Sequence, residues 1–207
     1  MLRFVAPCAL ALILAGCASN GMDLSQCRTA DWRAIGYEDG SQGNGASALG
    51  GRRQDCAEHG VTPDFAAYMD GHGQGIAHFC RPQNGYQLGS SGYRYGGVCP
   101  AGLEETFLAA YGDGYGLYER RTTVNQLNKA IHRKQHRMKS LERRMAETTA
   151  ALVSPQTPPS ERLSIGVELK QVTEERIEIE RDISQLEIDL VHAEREYQSY
   201  NESLARR

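Results

Sequence analysis

Three aspartates stand in a recurring pattern, Tyr-x-Asp-Gly, in the first half of this chain. The pattern occurs at residues 37–40, 68–71 and 111–114. Carboxylates that lie in pairs can act as general acid and general base, so Asp39, Asp70 and Asp113 are candidates for a hydrolase site. An aspartate before a glycine can also bond to nearby backbone groups. Because the pattern repeats, we favour this structural role and expect a packing unit, with the hydrolase as the weaker alternative.

The histidines add little to a catalytic reading. His59, His72 and His78 share the first half, but His72 and His78 are six residues apart and do not lie on one helical face. His132 and His136 are four residues apart in the second half, without an acidic partner pattern. We interpret these histidines as surface or polar-core residues. The sequence therefore predicts no catalytic residue, no metal site, no cofactor and no enzymatic activity.

The elements that carry the aspartates are predicted to be helices that follow cysteines. The cysteines that precede the three copies of the pattern are Cys27, Cys56 and Cys99. Glycine recurs at helical spacing, at Gly36, Gly40 and Gly43 on one face and at Gly71 and Gly75 on another. Because glycine costs a helix up to about 1 kcal/mol relative to alanine, we expect close helix contacts at these faces.

Residues 81–98, RPQNGYQLGSSGYRYGGV, show a different pattern. The pairs Asn-Gly at 84–85 and Ser-Gly at 91–92 are typical of turns, and tyrosines and a leucine alternate around them. The segment predicts a short β-hairpin with a cysteine at each end. Its tyrosines and arginines would suit a cell-wall glycan as ligand.

The first seventeen residues, MLRFVAPCALALILAGC, have the pattern of a targeting signal. Arg3 is followed by about a dozen apolar residues, which is the length of a signal-peptide core and too short to span a bilayer. The ending LAGC at residues 14–17 resembles the lipobox of bacterial lipoproteins, in which the signal peptide, here residues 1–16, is removed and the cysteine is acylated. Ala18 and Ser19 follow, in place of the aspartate that retains many lipoproteins in the inner membrane. The resemblance implies a lipid anchor at Cys17 in the outer membrane, facing the periplasm.

Export to an oxidising compartment leaves four cysteines for the folded protein, Cys27, Cys56, Cys80 and Cys99. Four cysteines allow three disulfide pairings. A Cys80–Cys99 bond would close the predicted hairpin, which leaves Cys27 to pair with Cys56. A zinc site is the less favoured alternative, because the spacings contain no C-x-x-C pair.

The composition changes near residue 117 and indicates two domains, 17–116 and 117–207. Residues 18–116 contain 20 of the 22 glycines, and their eleven acidic residues outnumber six arginines. They include only nine Ile, Leu and Val residues, too few for a self-sufficient core, so we expect the disulfides to stabilise this domain. Residues 117–207 contain fifteen acidic and sixteen basic residues, a balance that disfavours nucleic acid as a partner.

The second domain has the heptad pattern of a coiled coil. Residues in steps of three and four form a mainly apolar seam from Val124 to Leu152 and again from Ile165 to Leu204. Prolines at 155, 158 and 159 separate the two stretches. Their similar length predicts an antiparallel hairpin with arms about 60–70 Å long. The expected fold class is mainly α: a small, disulfide-stapled, Gly/Tyr-rich helical domain with a short β-hairpin, followed by this long coiled-coil hairpin.

The signal, the cysteines and the segments ADWRAIGYEDGSQG, NGYQLGSSGYRYGGVCP and AYGDGYG together resemble bacterial lipoproteins of the domain-of-unknown-function 2799 family. The resemblance covers about residues 15–150 and implies no activity, so it assigns no functional residue. The leading hypothesis is a membrane-anchored envelope lipoprotein that serves as a structural or interaction module for an envelope protein or cell-wall partner. A glycan-binding module and an aspartate-based hydrolase are the alternatives.

Overall fold

The computed structural model describes residues 21–206, which fold into seven α-helices and one 3-10 turn without a β-strand. The signal segment and Cys17 lie outside the described residues. In chain order the elements are α1 (Leu24–Thr29), α2 (Trp32–Ser41), the 3-10 turn (Ala46–Ala48), α3 (Leu49–Glu58), α4 (Phe65–Phe79), α5 (Pro82–Ser90), α6 (Ala101–Val153) and α7 (Pro159–Ala205). The chain divides into two compact units, of which the first ends at His78 and the second begins at Phe79. None of the helices described is both long and apolar enough to cross a membrane.

Aspartate side chains cap the main helices of the first unit. The Asp31 carboxylate accepts a hydrogen bond of 3.0 Å from the Ala34 backbone N–H at the start of α2. The Asp64 carboxylate accepts one of 2.9 Å from the Ala67 N–H at the start of α4. Such caps satisfy backbone donors that the first helical turn leaves unpaired, and so they help to set where α2 and α4 begin.

Helices α2 and α4 run parallel and contact each other at glycine residues. Gly36 and Gly40 of α2 face the backbone of α4, and Gly71 and Gly75 of α4 face the backbone of α2. A methyl group added to Gly40 would lie 2.7 Å from the backbone nitrogen of Ile76, well inside van der Waals contact. The two helices thus touch backbone to backbone, an approach that requires residues without a Cβ. The expected glycine packing is confirmed at these four positions.

The parallel direction of the pair explains where the first disulfide lies. Parallel helices begin at the same end, and Cys27 and Cys56 lie in the segments that precede α2 and α4. They form a disulfide, as expected, and are buried in a cluster with Trp32, Leu49 and Tyr68. Because the glycine contact buries no side chain, this bond and its cluster supply stability that the contact lacks.

The predicted β-hairpin at residues 81–98 is wrong. Pro82–Ser90 form α5, and residues 91–100 join it to α6 without strand pairing. Pro82 occupies the first helical turn, where its missing N–H costs nothing. The Asn-Gly pair at 84–85 is helical because Gly85 packs against the backbone of α6. The Cys80–Cys99 disulfide is present, but it ties the starts of α5 and α6 instead of the ends of a hairpin.

Helix α5 repeats α2 in sequence and in the way it ends. The two share the pattern Gly-Tyr-x-x-Gly-Ser-x-Gly, at residues 36–43 and 85–92. Each ends at a glycine with positive φ, 78° at Gly43 and 74° at Gly92. The N–H of the next residue bonds to the carbonyl five residues earlier, at 3.0 Å for Asn44 and 3.1 Å for Tyr93. This is the Schellman helix end, which places Gly43 beyond the packing face to which the spacing assigned it.

The pairs α2–α4 and α5–α6 also match in the register of their contacts. Corresponding positions, judged by the backbone that each glycine meets, are Gly36 and Gly85, Gly40 and Gly89, Gly75 and Gly114, and Tyr68 and Phe107. Tyr68 and Phe107 are both fully buried. The chain therefore contains a twofold structural repeat, in which each copy consists of two parallel helices and a disulfide that joins the segments preceding them.

This repeat differs from the Tyr-x-Asp-Gly repeat predicted from the sequence. Residues 37–40 lie on α2, the first helix of a pair, whereas 68–71 and 111–114 lie on the second helices, α4 and α6. Even these two copies are displaced by one helical turn, because the contacts align Tyr68 with Phe107 instead of Tyr111. The predicted threefold packing unit is therefore wrong, and a twofold one replaces it.

Helices α6 and α7 form an antiparallel hairpin, as predicted. With 53 and 47 residues they are about 80 and 70 Å long. Leu141, Val172 and Ile179 form a buried part of the seam, and Met138, Met145 and Ile183 pack against them. Ion pairs flank it, Lys134–Asp182 at 2.6 Å, Arg137–Glu175 at 2.7 Å and Arg144–Glu168 at 2.8 Å. Partner numbers fall as the α6 numbers rise, which is the signature of antiparallel arms.

The composition change at residue 117 lies inside α6 and does not coincide with the division between the units. The first part of α6 packs on α5, where Gly89 meets Tyr111 and Gly92 meets Tyr118. The later part packs on α7 through the seam. The composition changes because the first part of α6 packs through glycine and the later part packs through a heptad seam. The predicted boundary therefore marks a change in how this one helix packs.

The glycine contacts predict opposite effects for neighbouring Gly→Ala changes. Gly71→Ala and Gly114→Ala are expected to lower the free energy of unfolding by about 1–3 kcal/mol, because the new methyl group meets backbone of the facing helix. Gly73→Ala and Gly112→Ala are matched controls on the same helices with open space around them, and should stabilise by up to about 1 kcal/mol. Denaturant unfolding followed by circular dichroism measures both. Stabilisation by Gly71→Ala would contradict the packing described here.

Candidate functional site

Asp39 is held by side chains from two other helices of the first unit and is only 4% exposed. Both terminal guanidinium nitrogens of Arg52 on α3 donate to its carboxylate, one of them at 2.9 Å. The hydroxyl of Tyr68 on α4 donates to the same carboxylate at 2.8 Å. Asp39 therefore joins α2, α3 and α4 through one buried polar cluster.

The pKa values in this cluster favour a structural role. Burial by itself raises the pKa of the Asp39 carboxyl, but hydrogen bonds from Arg52 and Tyr68 outweigh it and hold the pKa below its ordinary value. Burial and the Asp39 carboxylate raise the pKa of Tyr68 to about 12. A general acid or base works best with a pKa near the working pH. Near neutral pH the carboxylate stays ionised and the phenol protonated, an arrangement suited to holding helices together.

His72 lies beside the same cluster and is 7% exposed. Its ring stacks on that of Tyr68, with centroids 5.8 Å apart. Its Nε2 lies 2.8 Å from the carbonyl oxygen of Asn44, to which the N–H donates. Asn44 directly follows the glycine that ends α2, so this contact fixes the end of that helix. The interpretation of His72 as a polar-core residue is confirmed.

Asp70 and Asp113 have different surroundings from Asp39. Asp70 pairs with Arg33 of α2 at 2.8 Å and accepts a hydrogen bond of 3.1 Å from Gln74. Asp113 belongs to the second unit, where its backbone carbonyl accepts a hydrogen bond of 3.2 Å from the Tyr200 hydroxyl. The three aspartates that the repeated motif predicted as a possible set therefore occupy three separate environments. Within residues 21–206, no group of three His, Cys, Asp or Glu side chains is placed to hold a metal ion.

A row of aromatic rings lies along α6 in the second unit. Successive ring centroids are 4.9–6.3 Å apart, and in spatial order the rings of this aromatic row are Phe79, Phe107, Tyr95, Tyr111, Tyr115 and Tyr118. Sequence reasoning missed it because it assigned Tyr95 to a hairpin. The spacing of the aromatic residues at 107, 111, 115 and 118, three or four apart on one helix, is the signal that could have revealed it.

The aromatic row is partly open to solvent, and two of its tyrosines are held by hydrogen bonds. Tyr115 is 37% exposed, and Tyr93 beside the row is 68% exposed. The Tyr111 hydroxyl donates to the Tyr93 carbonyl at 3.1 Å, and the Tyr95 hydroxyl donates to the Glu104 carboxylate at 2.9 Å. Aromatic faces are electron-rich and attract cations and weakly positive C–H groups, such as those of a sugar ring. The aromatic row is therefore a candidate binding surface.

Residues 31–116 match the family described as protein of unknown function, DUF2799. These residues belong to the DUF2799 family. The match begins at the residue that caps α2 and ends within α6, so it covers both glycine-packed helix pairs and is narrower than the expected resemblance over residues 15–150. No curated protein and no solved structure matches the chain.

Beyond the DUF2799 segment, the two arms of the hairpin carry opposite charge. Residues 117–153 contain nine Lys and Arg against three Glu, whereas residues 159–205 contain five against twelve Asp and Glu. Some of these charges pair between the arms. Further exposed basic side chains on α6, which we call the basic face, are Lys129, Arg133, His136, Lys139 and Arg143. A single count over residues 117–207 balanced the charges and so concealed this separation.

The polar cluster predicts a double-variant effect. Tyr68→Phe removes a hydrogen bond to a buried carboxylate and should lower the free energy of unfolding by about 2 kcal/mol. Asp39→Leu combined with Tyr68→Phe copies the residues at the corresponding positions of the second pair, Leu88 and Phe107. The double variant should lose less than the sum of the two single losses, because no unpaired acceptor remains and Arg52 reaches solvent. Fully additive losses, measured by denaturant unfolding, would contradict this coupling.

The same cluster predicts how the stability of the folded protein changes at alkaline pH. The folded-state pKa of Tyr68, about 12, lies above the ordinary value near 10, so the folded protein binds this proton more tightly than the unfolded chain does. The stabilisation of the folded protein by the protonated Tyr68 hydroxyl is complete below about pH 10 and is lost as the pH rises towards about 12. The pKa of Asp39 is shifted in the opposite direction, so its contribution to stability is lost as the pH falls below the ordinary carboxyl pKa of about 4. In Tyr68→Phe, the decrease in the free energy of unfolding above about pH 10 should be smaller than in the wild type.

Proposed function

We propose that this protein is a bacterial envelope lipoprotein, anchored in the outer membrane through an acylated Cys17 and facing the periplasm, and that its folded part is an interaction module. The LAGC segment at residues 14–17 supports the anchor. Ala18 and Ser19 support the outer membrane, because many inner-membrane lipoproteins carry aspartate next to the cysteine. The two disulfides suit an oxidising compartment such as the periplasm.

The observation that carries the interaction role is the charge separation between the arms of the hairpin. The packing of α6 on α7 uses the seam and the ion pairs beside it. The lysines and arginines of the basic face are exposed cations that this packing does not need, and between Arg120 and Leu141 the helix contains no acidic residue. Such a one-signed surface attracts and orients a partner of opposite charge. The partner that fits best is an envelope protein with an acidic surface.

Binding of a cell-wall glycan is the second candidate function, and the aromatic row favours it. Its rings are ordered by ring contacts and hydrogen bonds, and the exposed side chains of Tyr93 and Tyr115 offer aromatic surface for contact with sugar rings. The low pKa of Asp39 and its enclosure by Arg52 and Tyr68 argue against the third candidate, an aspartate hydrolase.

The anchor predicts where a cysteine variant is found after cell fractionation. Wild-type protein is expected to stay with the membranes through a high-salt wash, because acyl chains hold by burial in lipid and not by charge. Cys17→Ser should appear as an uncleaved precursor or in the soluble fraction. Cys8→Ser, a matched change inside the signal segment, should behave like wild type. Processed, wash-resistant Cys17→Ser protein would remove the basis for the anchor.

One experiment separates the two candidate functions. The full lipoprotein is crosslinked in its own envelope, and its detergent-solubilised form is sedimented with purified peptidoglycan. Lys139→Glu with Arg143→Glu should abolish crosslinks to a protein partner without changing sedimentation, if the basic face binds that partner. Tyr93→Ala with Tyr115→Ala should reduce sedimentation severalfold, if the aromatic row binds glycan.

Tyr37→Ala serves as the control for the aromatic variants, because Tyr37 is 41% exposed but lies in the first unit. Circular dichroism of each variant checks that it folds. Crosslinks unaffected by the Lys139 and Arg143 changes would exclude the basic face as the docking surface. Equal sedimentation by all variants would exclude the aromatic row.

A further inference from the structure

Helix α7 has exposed apolar residues on the face that does not contact α6. Five branched side chains, which we call the apolar row, are exposed there: Leu163 (78%), Val167 (50%), Ile177 (48%), Ile188 (53%) and Val191 (44%). The heptad seam uses other residues of the helix, such as Val172 and Ile179. The apolar row extends over about 40 Å of helix.

The outward face of α6 has no corresponding row. From residue 121 to residue 150, the residues of α6 outside the seam are polar, charged or alanine. A two-stranded coiled coil needs apolar residues only at its seam, and its outward positions are normally polar. Single exposed apolar residues, such as Val153 at the end of α6, are ordinary, but five aligned on one arm indicate a second contact surface.

The apolar row is nearly symmetric about its central residue, Ile177. Along the chain, the steps between its members are four, ten, eleven and three residues, and read backwards they differ by at most one. A second copy of α7 that runs antiparallel, with a two-fold axis near Ile177, would place Leu163 and Val167 of one copy beside Ile188 and Val191 of the other. The row therefore fits itself, as the surface of a closed two-fold dimer must.

The charged residues within the row select the antiparallel direction. Lys170 and Glu174 fill the gap before Ile177, and Arg181 and Ser184 fill the gap after it. An antiparallel copy places Glu174 near Arg181 of the other chain, in both halves of the interface. A parallel copy would place Lys170, Glu174 and Arg181 each near its own equivalent, and like charges in contact are unfavourable. Over the whole hairpin, fifteen acidic residues nearly balance sixteen basic ones, so the net charge repulsion between two copies is small.

We propose that this protein forms an antiparallel homodimer through the apolar row of α7, with the two-fold axis near Ile177. The interface is distinct from the basic face and the aromatic row, and it does not depend on the proposed anchor or on either proposed function. The dimer leaves the basic face of each copy on the far side of its hairpin.

Single cysteines in the full chain, produced with its leader and native disulfides, test the interface in the bacterial envelope. Ile177→Cys is expected to give a disulfide-linked dimer on a non-reducing gel, because the residue lies near the axis. His136→Cys, an exposed control on α6, should stay monomeric. Val191→Cys alone should also stay monomeric, whereas co-production of Val191→Cys and Leu163→Cys chains should give a mixed dimer.

Each other outcome of the cysteine test contradicts the proposal. Self-crosslinking of Val191→Cys as efficient as that of Ile177→Cys would indicate a parallel dimer. Equal crosslinking of His136→Cys would indicate unspecific collision. A purely monomeric Ile177→Cys protein, or one linked only to a different protein, would mean that another partner or solvent covers the row.

A charge exchange tests the same interface without cysteines. In the detergent-solubilised full chain, Glu174→Arg and Arg181→Glu are each expected to raise the dimer Kd about fivefold, since two pairs change together by symmetry. Their combination in one chain should return the Kd close to the wild-type value, because each pair is restored with exchanged sign. Sedimentation equilibrium measures the Kd, and circular dichroism confirms that the hairpin is intact. Failure of the double variant to recover would overturn the proposed pairing.

Discussion

The contact that the DUF2799 segment depends on is backbone against backbone, where two parallel helices meet at glycine. Gly40 and Gly75 in the first unit, and Gly89 and Gly114 in the second, leave no room for a methyl group. The first half of the chain has few large aliphatic residues, so its helices cannot be held by interdigitated side chains alone. Close approach replaces side-chain burial with many short dispersion contacts between backbones.

Parallel packing has a topological consequence that the rest of the segment satisfies. After the first helix of each pair the chain must return to the end from which it started, which α3 and its flanking loops do in the first unit and residues 91–100 do in the second. In each pair a disulfide then joins the segments that precede the two helices. The two helix pairs have different side chains at corresponding positions. In the first pair Asp39 and Tyr68 form a polar cluster with Arg52, whereas in the second pair these positions are occupied by Leu88 and Phe107. The helix pair itself therefore does not require the polar cluster.

The hairpin is held by a different kind of contact, although α6 takes part both in the glycine contact with α5 and in the hairpin with α7. Its arms pack through a heptad seam, and they divide the charge so that α6 is basic and α7 acidic. This division strengthens pairing between the arms and leaves two unlike outward surfaces, one basic and one lined with apolar residues. The candidate binding surfaces therefore lie on the two arms of the hairpin and along the aromatic row, and neither proposed binding role uses the carboxylates of the three aspartates that first suggest chemistry.

The sequence by itself determined the features that follow from local chemistry. Heptad spacing predicted both arms of the hairpin, the even number of cysteines and their context predicted two disulfides, and glycine at helical spacing predicted close helix contacts. Tertiary structure alone decided the identity of the repeat and the state of residues 82–90. Tyr-x-Asp-Gly is a local pattern, whereas the true repeat is defined by which backbone each glycine meets, and that partner lies 22 to 38 residues away. The alternating residues around Asn84-Gly85 fit a hairpin locally, but Gly85 and Gly89 pack only if they lie one turn apart on one helical face, so the contact with α6 overrides the local preference.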